Sequence, residues 1–405
     1  MTPLPLSGAA AALAGSLAQG RCLLRLAEVE GAPWGPLSEA DAAIIRSKAE
    51  LTIARDRGFR MAVAFDPRSA AGSPVDFALV VHLDRRFDYL AAGDVIAIDA
   101  RSRRFRVLYR RASKHNSFLL TERCNHYCLM CSQPPRNVED GWIIDEIADC
   151  VDLIDPATTS LGLTGGEPLL DWRRLVAVLA KMRERLPQTA VHVLTNGRAF
   201  ASEAVVAAWA EIRHPHLTAG IPIYAAVDHI HDYVVQSRGA FDETVLGVLR
   251  LKDRRQRVEV RIVLHAVTAP RLKQTCEWLA RNLPFVDHVA LMGTENTGFA
   301  LANEKLLWID PIDYADDLVS GVGVLKAAGV NVSIYNLPLC VLHPSVWGVA
   351  VQSISDWKNT YLPLCAGCCV RAQCAGFFST GRTRMSRGVG PVTGLRPLSA
   401  PCRQY

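Results

Sequence analysis

The sequence predicts an α/β protein in three parts. A partial (β/α)6 barrel of the TIM type occupies residues 114–330, a small α+β domain precedes it over 1–113, and a cysteine-rich region follows over 331–405. Three observations predict this. From Asn116 onward, strand-like and helical segments alternate six times, the pattern of a parallel sheet with helical crossovers. Most of the twelve cysteines fall in two clusters, one just after the first of those strands and one beyond the last helix. At 405 residues, half of them apolar, the chain is long enough for more than one domain and a sizeable core.

In the first 113 residues, Arg21–Glu30, Phe59–Phe65 and Pro74–Leu83 read as strands. Ser38 is the expected N-cap of a helix running toward Arg57, with Gly58 just past its end. Asp94–Asp99 and Phe105–Arg110 are expected to pair as a hairpin around Ala100–Arg104. Arg101, Arg103, Arg104, Arg106, Arg110, Arg111 and Lys114 make this region basic; a solvated hairpin face is preferred over a peptide- or RNA-binding strip. No cofactor motif lies here.

The barrel strands are expected at Ser117–Thr121, Ser160–Leu163, Val191–Leu194, Ile221–Val227, Val258–His265 and His288–Met292. The helices are expected at about 142–154, 171–186, 202–212, 241–252, 270–282 and 311–328. In the second helix Leu175, Val178, Leu179, Met182 and Leu186 form one apolar stripe, with Arg173, Arg174, Lys181 and Arg185 largely off it. Pro270 and Pro311 fall in first helical turns, where a missing N–H costs nothing.

Active sites of such barrels form at the C-terminal strand ends. Cys124, Cys128 and Cys131 follow the first strand, spaced so that one turn brings three thiolates to one centre. Iron–sulfur clusters are held by such thiolates, and three of them leave one iron of a four-iron cluster open to a reactant. The alternative is a structural zinc site with His126 as fourth ligand. The second strand runs into Thr164-Gly165-Gly166-Glu167-Pro168, the third ends in Thr195-Asn196-Gly197, and the fourth in Asp228. All candidates thus fall on one rim. Glycines let backbone approach a ligand closely, and a carboxylate accepts charge-assisted hydrogen bonds from an ammonium.

Cys124–Cys131 resembles the signature of the radical S-adenosylmethionine (SAM) superfamily, departing from it at Met130, where an aromatic residue is usual. A methionine thioether can still pack against an adenine. Gly165, Gly166, Glu167 and Pro168 resemble the superfamily's motif for the amino group of SAM. Thr195, Asn196 and Arg261 are further candidate SAM contacts from strand ends. Ala225–Asp228 with His231, Asp232 and Arg238–Phe241 resembles the fourth-strand region of peptide-modifying members, except that Ala226 stands where a serine is common.

Cys365, Cys368 and Cys374 resemble the ligands of a C-terminal auxiliary cluster in those enzymes, with Cys340 as the fourth. Cys369 is an alternative to Cys368, and zinc an alternative to a second 4Fe–4S cluster. Cys22, Cys150, Cys276 and Cys402 stand apart; Cys150 and Cys276 are expected as buried thiols, and Ser379–Tyr405 as an irregular tail.

Leu119–Pro135, Leu161–Leu170, Asn336–Cys340, Ile354–Leu362 and the final cysteines together resemble the C-type radical SAM maturases of the His-Xaa-Ser system, over roughly residues 116–378. The resemblance implies that a 4Fe–4S cluster on Cys124, Cys128 and Cys131 binds SAM, and that one electron cleaves SAM to methionine and a 5′-deoxyadenosyl radical. It further implies a ribosomally made precursor peptide with His-Xaa-Ser repeats as substrate, a second radical SAM maturase of the same system, and an electron donor. RNA or a small metabolite is the alternative substrate, and a zinc-stabilised scaffold the non-enzymatic alternative. No residue stands out as a catalytic acid or base.

The net charge of +5 tolerates an acidic partner without demanding nucleic acid. Clustered cysteines in a long chain point to metal binding in a reducing compartment, not to a disulfide framework. No apolar run reaches the ~18 residues of a membrane span. The small apolar stretch Ala9–Ala18 lacks the preceding Lys or Arg of a secretory signal. The expected location is the cytoplasm.

Overall fold

Two sheets organise the chain. The computed structural model describes residues 5–15, 20–30, 37–65, 77–352, 360–378 and 384–394. The N-terminal sheet is built from β1 (Ser7–Ala9), β2 (Ala12–Ala14), β3 (Arg21–Ala27), β4 (Asp41–Ile45), β5 (Met61–Ala64), β6 (Leu79–His82), β7 (Val95–Asp99) and β8 (Arg104–Tyr109), with helix α1 (Lys48–Asp56) between β4 and β5. Its order is β1-β8-β7-β3-β4-β5-β6-β2. The hairpin expected around Ala100–Arg104 is present as β7 and β8, with Ala97 opposite Arg106.

The helix expected from Ser38 is displaced. Asp41–Ile45 is instead a strand whose five residues are all buried. An Ala-Ala-Ile-Ile run covered on both faces suits a central parallel strand, and β4 lies parallel to both β3 and β5. Asp41 enters this interior because Arg25 of β3 meets it with two hydrogen bonds, of 2.6 and 2.8 Å. The helix starts only at Lys48, where Ser47 and Glu50 form a reciprocal capping box. Gly58 follows its end at φ +84°, as expected. Of the Pro74–Leu83 strand, residues 74–76 lie outside the described residues and Leu79–His82 is β6.

The second sheet takes its strands in sequence order, all parallel: β9 (Asn116–Leu119), β10 (Ser160–Thr164), β11 (Ala190–Leu194), β12 (Leu217–Pro222), β13 (Arg257–Leu264), β14 (His288–Gly293) and β15 (Val332–Tyr335). The crossovers carry α2 (Gly141–Cys150), α3 (Trp172–Arg185), α4 (Glu203–Glu211), α5 (Asp228–Val235), α6 (Ala240–Asp253), α7 (Leu272–Asn282), α8 (Gly298–Ala302), α9 (Glu304–Leu307) and α10 (Ala315–Ala327). Leu175, Val178, Leu179 and Met182 of α3 are buried against the sheet, the stripe the sequence predicts. Burying each such side chain is worth about 1.5–3 kcal/mol.

Three features depart from expectation. The sheet has seven strands, not six: Val332–Tyr335, beyond the expected barrel edge at residue 330, pairs with β14. The fourth strand begins at Leu217 and ends at Pro222, with one further backbone bond from Ile223 N–H to the Arg261 carbonyl at 3.2 Å. Residues Ile223–Ala225 are buried beyond that strand, and Asp228 opens α5, a helix the alternation does not show. The sheet is open: among the described residues β9 and β15 do not pair.

Two cations of the basic run join the two parts. Arg106 pairs with Glu146 of α2, and Arg111 donates to Asp155 at 2.6 Å. Arg21 stacks on the ring of Trp142 at 3.3 Å. No described helix is long and apolar enough to cross a membrane.

Candidate active site

Residues just past β9 continue its ladder against the Gly-Gly-Glu segment. Leu120 N–H donates to the Thr164 carbonyl, Gly166 N–H to Thr121, and Glu167 N–H to Arg123, each at 2.8 Å. The strands are in such close register that a Cβ on Gly166 would lie 2.0 Å from the Arg123 oxygen and 3.0 Å from Cys124 Cβ. Only glycine fits there. Asp140, 3% exposed, anchors the start of the cysteine loop. It accepts from the Thr121 hydroxyl at 2.9 Å, Glu122 N–H at 2.5 Å and Arg123 Nε at 3.2 Å.

The loop is held from its other side by α5 and α8. Tyr127 and Leu129 N–H groups donate to the Val235 and Val234 carbonyls at 3.1 and 2.9 Å. Phe299 N–H donates to the Cys131 carbonyl, and Asn303 Nδ2 to the Leu129 carbonyl, each at 2.8 Å. Gly298, at φ +56°, permits this contact, since its Cβ would lie 2.6 Å from the carbonyl oxygens of Cys131 and Ser132. Sequence reasoning missed Asp140, α5, Gly298 and Asn303. Glycine between Thr297 and an apolar run is the one local signal among them.

Cys124, Cys128 and Cys131 are half-buried thiols. Burial pushes the Cys124 thiol up to about 11 and raises Cys128 and Cys131 as well; Cys124 also feels the charge of Glu167 and Cys131, and Cys128 that of Cys131, Cys124 and Glu167. Among the described residues no three His, Cys, Asp or Glu side chains converge at metal-ligand distance. The thiols lie on one loop, within charge range of one another, without being closed round a centre. His126 is buried with both ring nitrogens unpartnered among the described residues. Burial, then Arg198 and His231, lower it to about 3, against Asp232. Those neighbours belong to the α5 side of the loop, not to the thiols.

Glu167 is 1% exposed and accepts three hydrogen bonds. Leu169 N–H and the Thr195 hydroxyl reach Oε1 at 2.8 and 2.6 Å, and Asn196 N–H reaches Oε2 at 2.6 Å. Burial raises its pKa; those three bonds lower it again in part. Asn196 Nδ2 also donates to Asn125 Oδ1 in the cysteine loop at 2.6 Å. Gly165, Gly166, Glu167, Pro168, Thr195 and Asn196 are therefore brought together with the cysteine loop at one rim.

Arg261 makes no hydrogen bond to that group among the described residues, though it and Cys128 and Cys131 all act on the charge of the buried Tyr224. It lies mid-strand in β13, paired with Pro222 on one side and Ala290 on the other. Its guanidinium donates to Glu259 at 2.9 Å and to Met292 Sδ at 3.0 Å. The strand-end position expected for it is taken by Leu264, because β13 runs longer than its neighbours. Met130, 7% exposed, packs with Tyr224, Val234, Val235, Ala300 and Leu307, so the residue at the aromatic position of the motif fills a local core.

Residues 118–279 match the radical SAM superfamily. The chain carries a radical SAM domain. That superfamily implies SAM and a 4Fe–4S cluster, and the residues present fit them: three thiols on one loop, with the Gly166 backbone against Cys124. Among solved structures the chain is similar to SuiB of Streptococcus suis bound to S-adenosylmethionine, at 15% identity and TM-score 0.43, over 57% of this chain and 54% of that one. It is similar to a radical SAM methyltransferase from Sphaerobacter thermophilus at 15% identity and TM-score 0.42, over 60% and 72%. It is also similar to anSMEcpe with bound AdoMet and Cp18Cys peptide, at 14% identity and TM-score 0.41, over 53% and 62%. The chain thus spans about half the length of the SuiB chains it matches, 51% in one of them. No curated protein matches it.

Outside the radical SAM domain, the second cysteine group gathers where the seventh strand ends. Cys340 sits in a turn after β15, Cys365 in the turn Pro363–Gly367, Cys368 at its end and Cys374 just beyond. Cys340 is within charge range of Cys365 and Cys368, and Cys374 of Cys340 and Cys368. Leu339 and Gly376 N–H groups donate to Cys374 Sγ at 3.3 and 3.4 Å. Cys369 is exposed, and no such thiol contact is present for it among the described residues. Cys150 and Cys276 are buried, as expected; Cys402 and most of Ile354–Leu362 lie outside the described residues.

Proposed function

We propose that the chain is a radical SAM enzyme that reductively cleaves SAM and modifies a ribosomally made peptide of the His-Xaa-Ser type. The observation that carries the reading is the seam between Gly166 and Cys124, where a side chain of any size is excluded. Cys124, Cys128 and Cys131 would hold the 4Fe–4S cluster; Gly165–Pro168, Thr195 and Asn196 would line the SAM site. When bound, cluster and SAM together supply a one-electron reduction and hydrogen-atom abstraction. Asp140 fixes where the cysteine loop leaves the sheet. Glu167 locks the ends of β10 and β11 together, so that the backbone facing SAM is set before SAM arrives. Met130, Tyr224 and Leu307 form a dry wall behind the loop.

Cys340, Cys365, Cys368 and Cys374 would hold a second 4Fe–4S cluster, with Cys368 favoured over Cys369 by the thiol contacts. The ion pairs of Arg106 and Arg111 leave less of the basic run for phosphates, which favours a peptide over RNA. A second radical SAM maturase and an electron donor complete the proposed system, in the cytoplasm.

The test is anaerobic reconstitution with iron and sulfide, then dithionite and SAM. Deoxyadenosine should form, and should vanish when Cys124, Cys128 and Cys131 are changed to Ala while C-terminal metal remains. A triple variant as active as the parent ends the radical reading. A synthetic His-Xaa-Ser repeat peptide, added with the partner maturase, should change mass; zinc at both sites in a colourless protein supports a scaffold instead.

A further inference from the structure

The sequence leaves Ser379–Tyr405 as an irregular tail, yet residues 384–394 are tied down at both ends. At one end, Asp310, just before α10 and 2% exposed, accepts from Arg387 N–H at 3.0 Å and Arg387 Nη1 at 3.3 Å. Asp310 also pairs with the Ser386 hydroxyl, and Arg387 Nη1 reaches Asp313 at 3.1 Å. Arg384 lies over the Trp308 ring at 4.5 Å. Gly388 sits so tightly on Ile312 that a Cβ would be 2.6 Å from it.

At the other end the same segment reaches a sulfur. Val392 N–H donates to Cys368 Sγ at 3.4 Å. The Val392 carbonyl in turn accepts from Cys369 N–H at 3.0 Å. The other two N–H···S contacts come from the cysteines' own loops, at Leu339 and Gly376. Thus one short segment, anchored on the turn before α10, joins the Cys368–Cys369 turn through both the N–H and the carbonyl of Val392.

Hydrogen bonds to cluster sulfurs are one of the levers that set reduction potential. Such a bond is stronger to a more negative acceptor, so it stabilises the reduced state more than the oxidised one. We propose that residues 386–392 form a strap that raises the reduction potential of the C-terminal cluster, with Asp310 and Arg387 as its positioning residues. The inference rests on the reading of Cys340, Cys365, Cys368 and Cys374 as a 4Fe–4S site. Each reduction there takes up one electron from an external donor, for which dithionite serves in vitro.

The test uses the full chain with Cys124, Cys128 and Cys131 changed to Ala, so that only the C-terminal cluster is loaded. Potentiometric titration followed by electron paramagnetic resonance reads the couple. Arg387→Ala releases the anchor from an exposed position, and Val392→Pro deletes one donor N–H. Each should shift the oxidised-to-reduced ratio at fixed potential about tenfold toward oxidised, about 59 mV for a one-electron couple. Arg387→Lys, which keeps an ion pair, should stay nearer the parent. Iron counts and far-ultraviolet circular dichroism check that each variant is loaded and folded. Unchanged potentials in both Arg387→Ala and Val392→Pro overturn the strap while leaving the cluster. Zinc, or no metal, at the site in the parent overturns the strap and the second-cluster reading together, and leaves the Cys124 result untouched.

Discussion

Replacing Glu167 by Gln tests whether the carboxylate is a brace as well as a cofactor contact. The side chain keeps its shape, and its buried charge is removed. Burial alone makes that removal favourable, since it is what raises the Glu167 pKa. Against this stand three donors aimed at two oxygens: Leu169 N–H, Asn196 N–H and the Thr195 hydroxyl. Glutamine has one oxygen, so whichever way the amide is turned, its NH2 faces at least one backbone N–H. A buried donor left unpaired costs about 1–3 kcal/mol. We expect the donor loss to win, because all three bonds are short and the two backbone donors cannot turn away. At about 2–4 °C for each kcal/mol in a domain of 150–250 residues, apo Glu167→Gln should melt several degrees below the parent. Thr195→Val leaves both backbone donors to Glu167 satisfied but strands the Gly197 N–H, which the hydroxyl accepts at 3.1 Å, so its loss should be about 1–3 kcal/mol. Thermal unfolding followed by circular dichroism reads both, and SAM affinity of the reconstituted variants reads the site. A Tm of Glu167→Gln equal to or above the parent's would refute the brace. Lower stability with unchanged SAM affinity would show that the carboxylate supports the rim without touching the cofactor.

Gly166→Ala forces at least the Arg123–Cys124 backbone to move, and iron loaded at the first site should drop severalfold while C-terminal metal is retained; equal loading would mean the seam yields freely. Cys365→Ala with Cys374→Ala should spare deoxyadenosine formation but stop peptide modification, and normal modification by a variant lacking the second cluster would remove that role. Glu259 offers a pH test in the apo protein. Burial pushes its carboxyl up, but the hydrogen bond with His288 at 2.7 Å, the Arg261 guanidinium at 2.9 Å and the nearby His192 ring at 3.3 Å outweigh it and hold the pKa well below the usual range. A depressed folded pKa means stability present above the unfolded value of about 4.3 and lost as pH falls through the folded one. Glu259→Gln should therefore be less stable than the parent at pH 7, with the gap closing below about pH 4; a gap that does not depend on pH would contradict an ionised Glu259.

Much of the site was legible because it is written in short windows. Apart from the fourth strand and α5, the alternation from Asn116 set the main strands and helices to within a few residues, and the stripe Leu175–Met182 faced the core as its period required. Motif order matched strand order, so Cys124–Cys131, Gly165–Pro168 and Thr195-Asn196 were expected on one rim, and they meet there through Glu167 and Asn125. The glycines of the motif found their reason in a 2.0 Å approach that no side chain survives.

The tertiary structure decided what depends on partners far along the chain. Asp41–Ile45 carries no local mark that separates a strand from a helix start; lying between β3 and β5 makes it a strand. Val332–Tyr335 became the seventh strand of the open parallel sheet only by pairing with β14. The register sets Arg261 inside β13 yet level with Pro222, the last residue of β12, and gives it Glu259 as partner, neither of which its own segment shows. The cysteine loop is shaped by Asn303, 174 residues away from the Leu129 carbonyl it binds, and the tail reaches back 24 residues from Val392 to Cys368. Spacing and period fix which atoms a segment offers; which of them meet is fixed by packing, because a hydrogen bond between distant segments leaves no trace in either one alone.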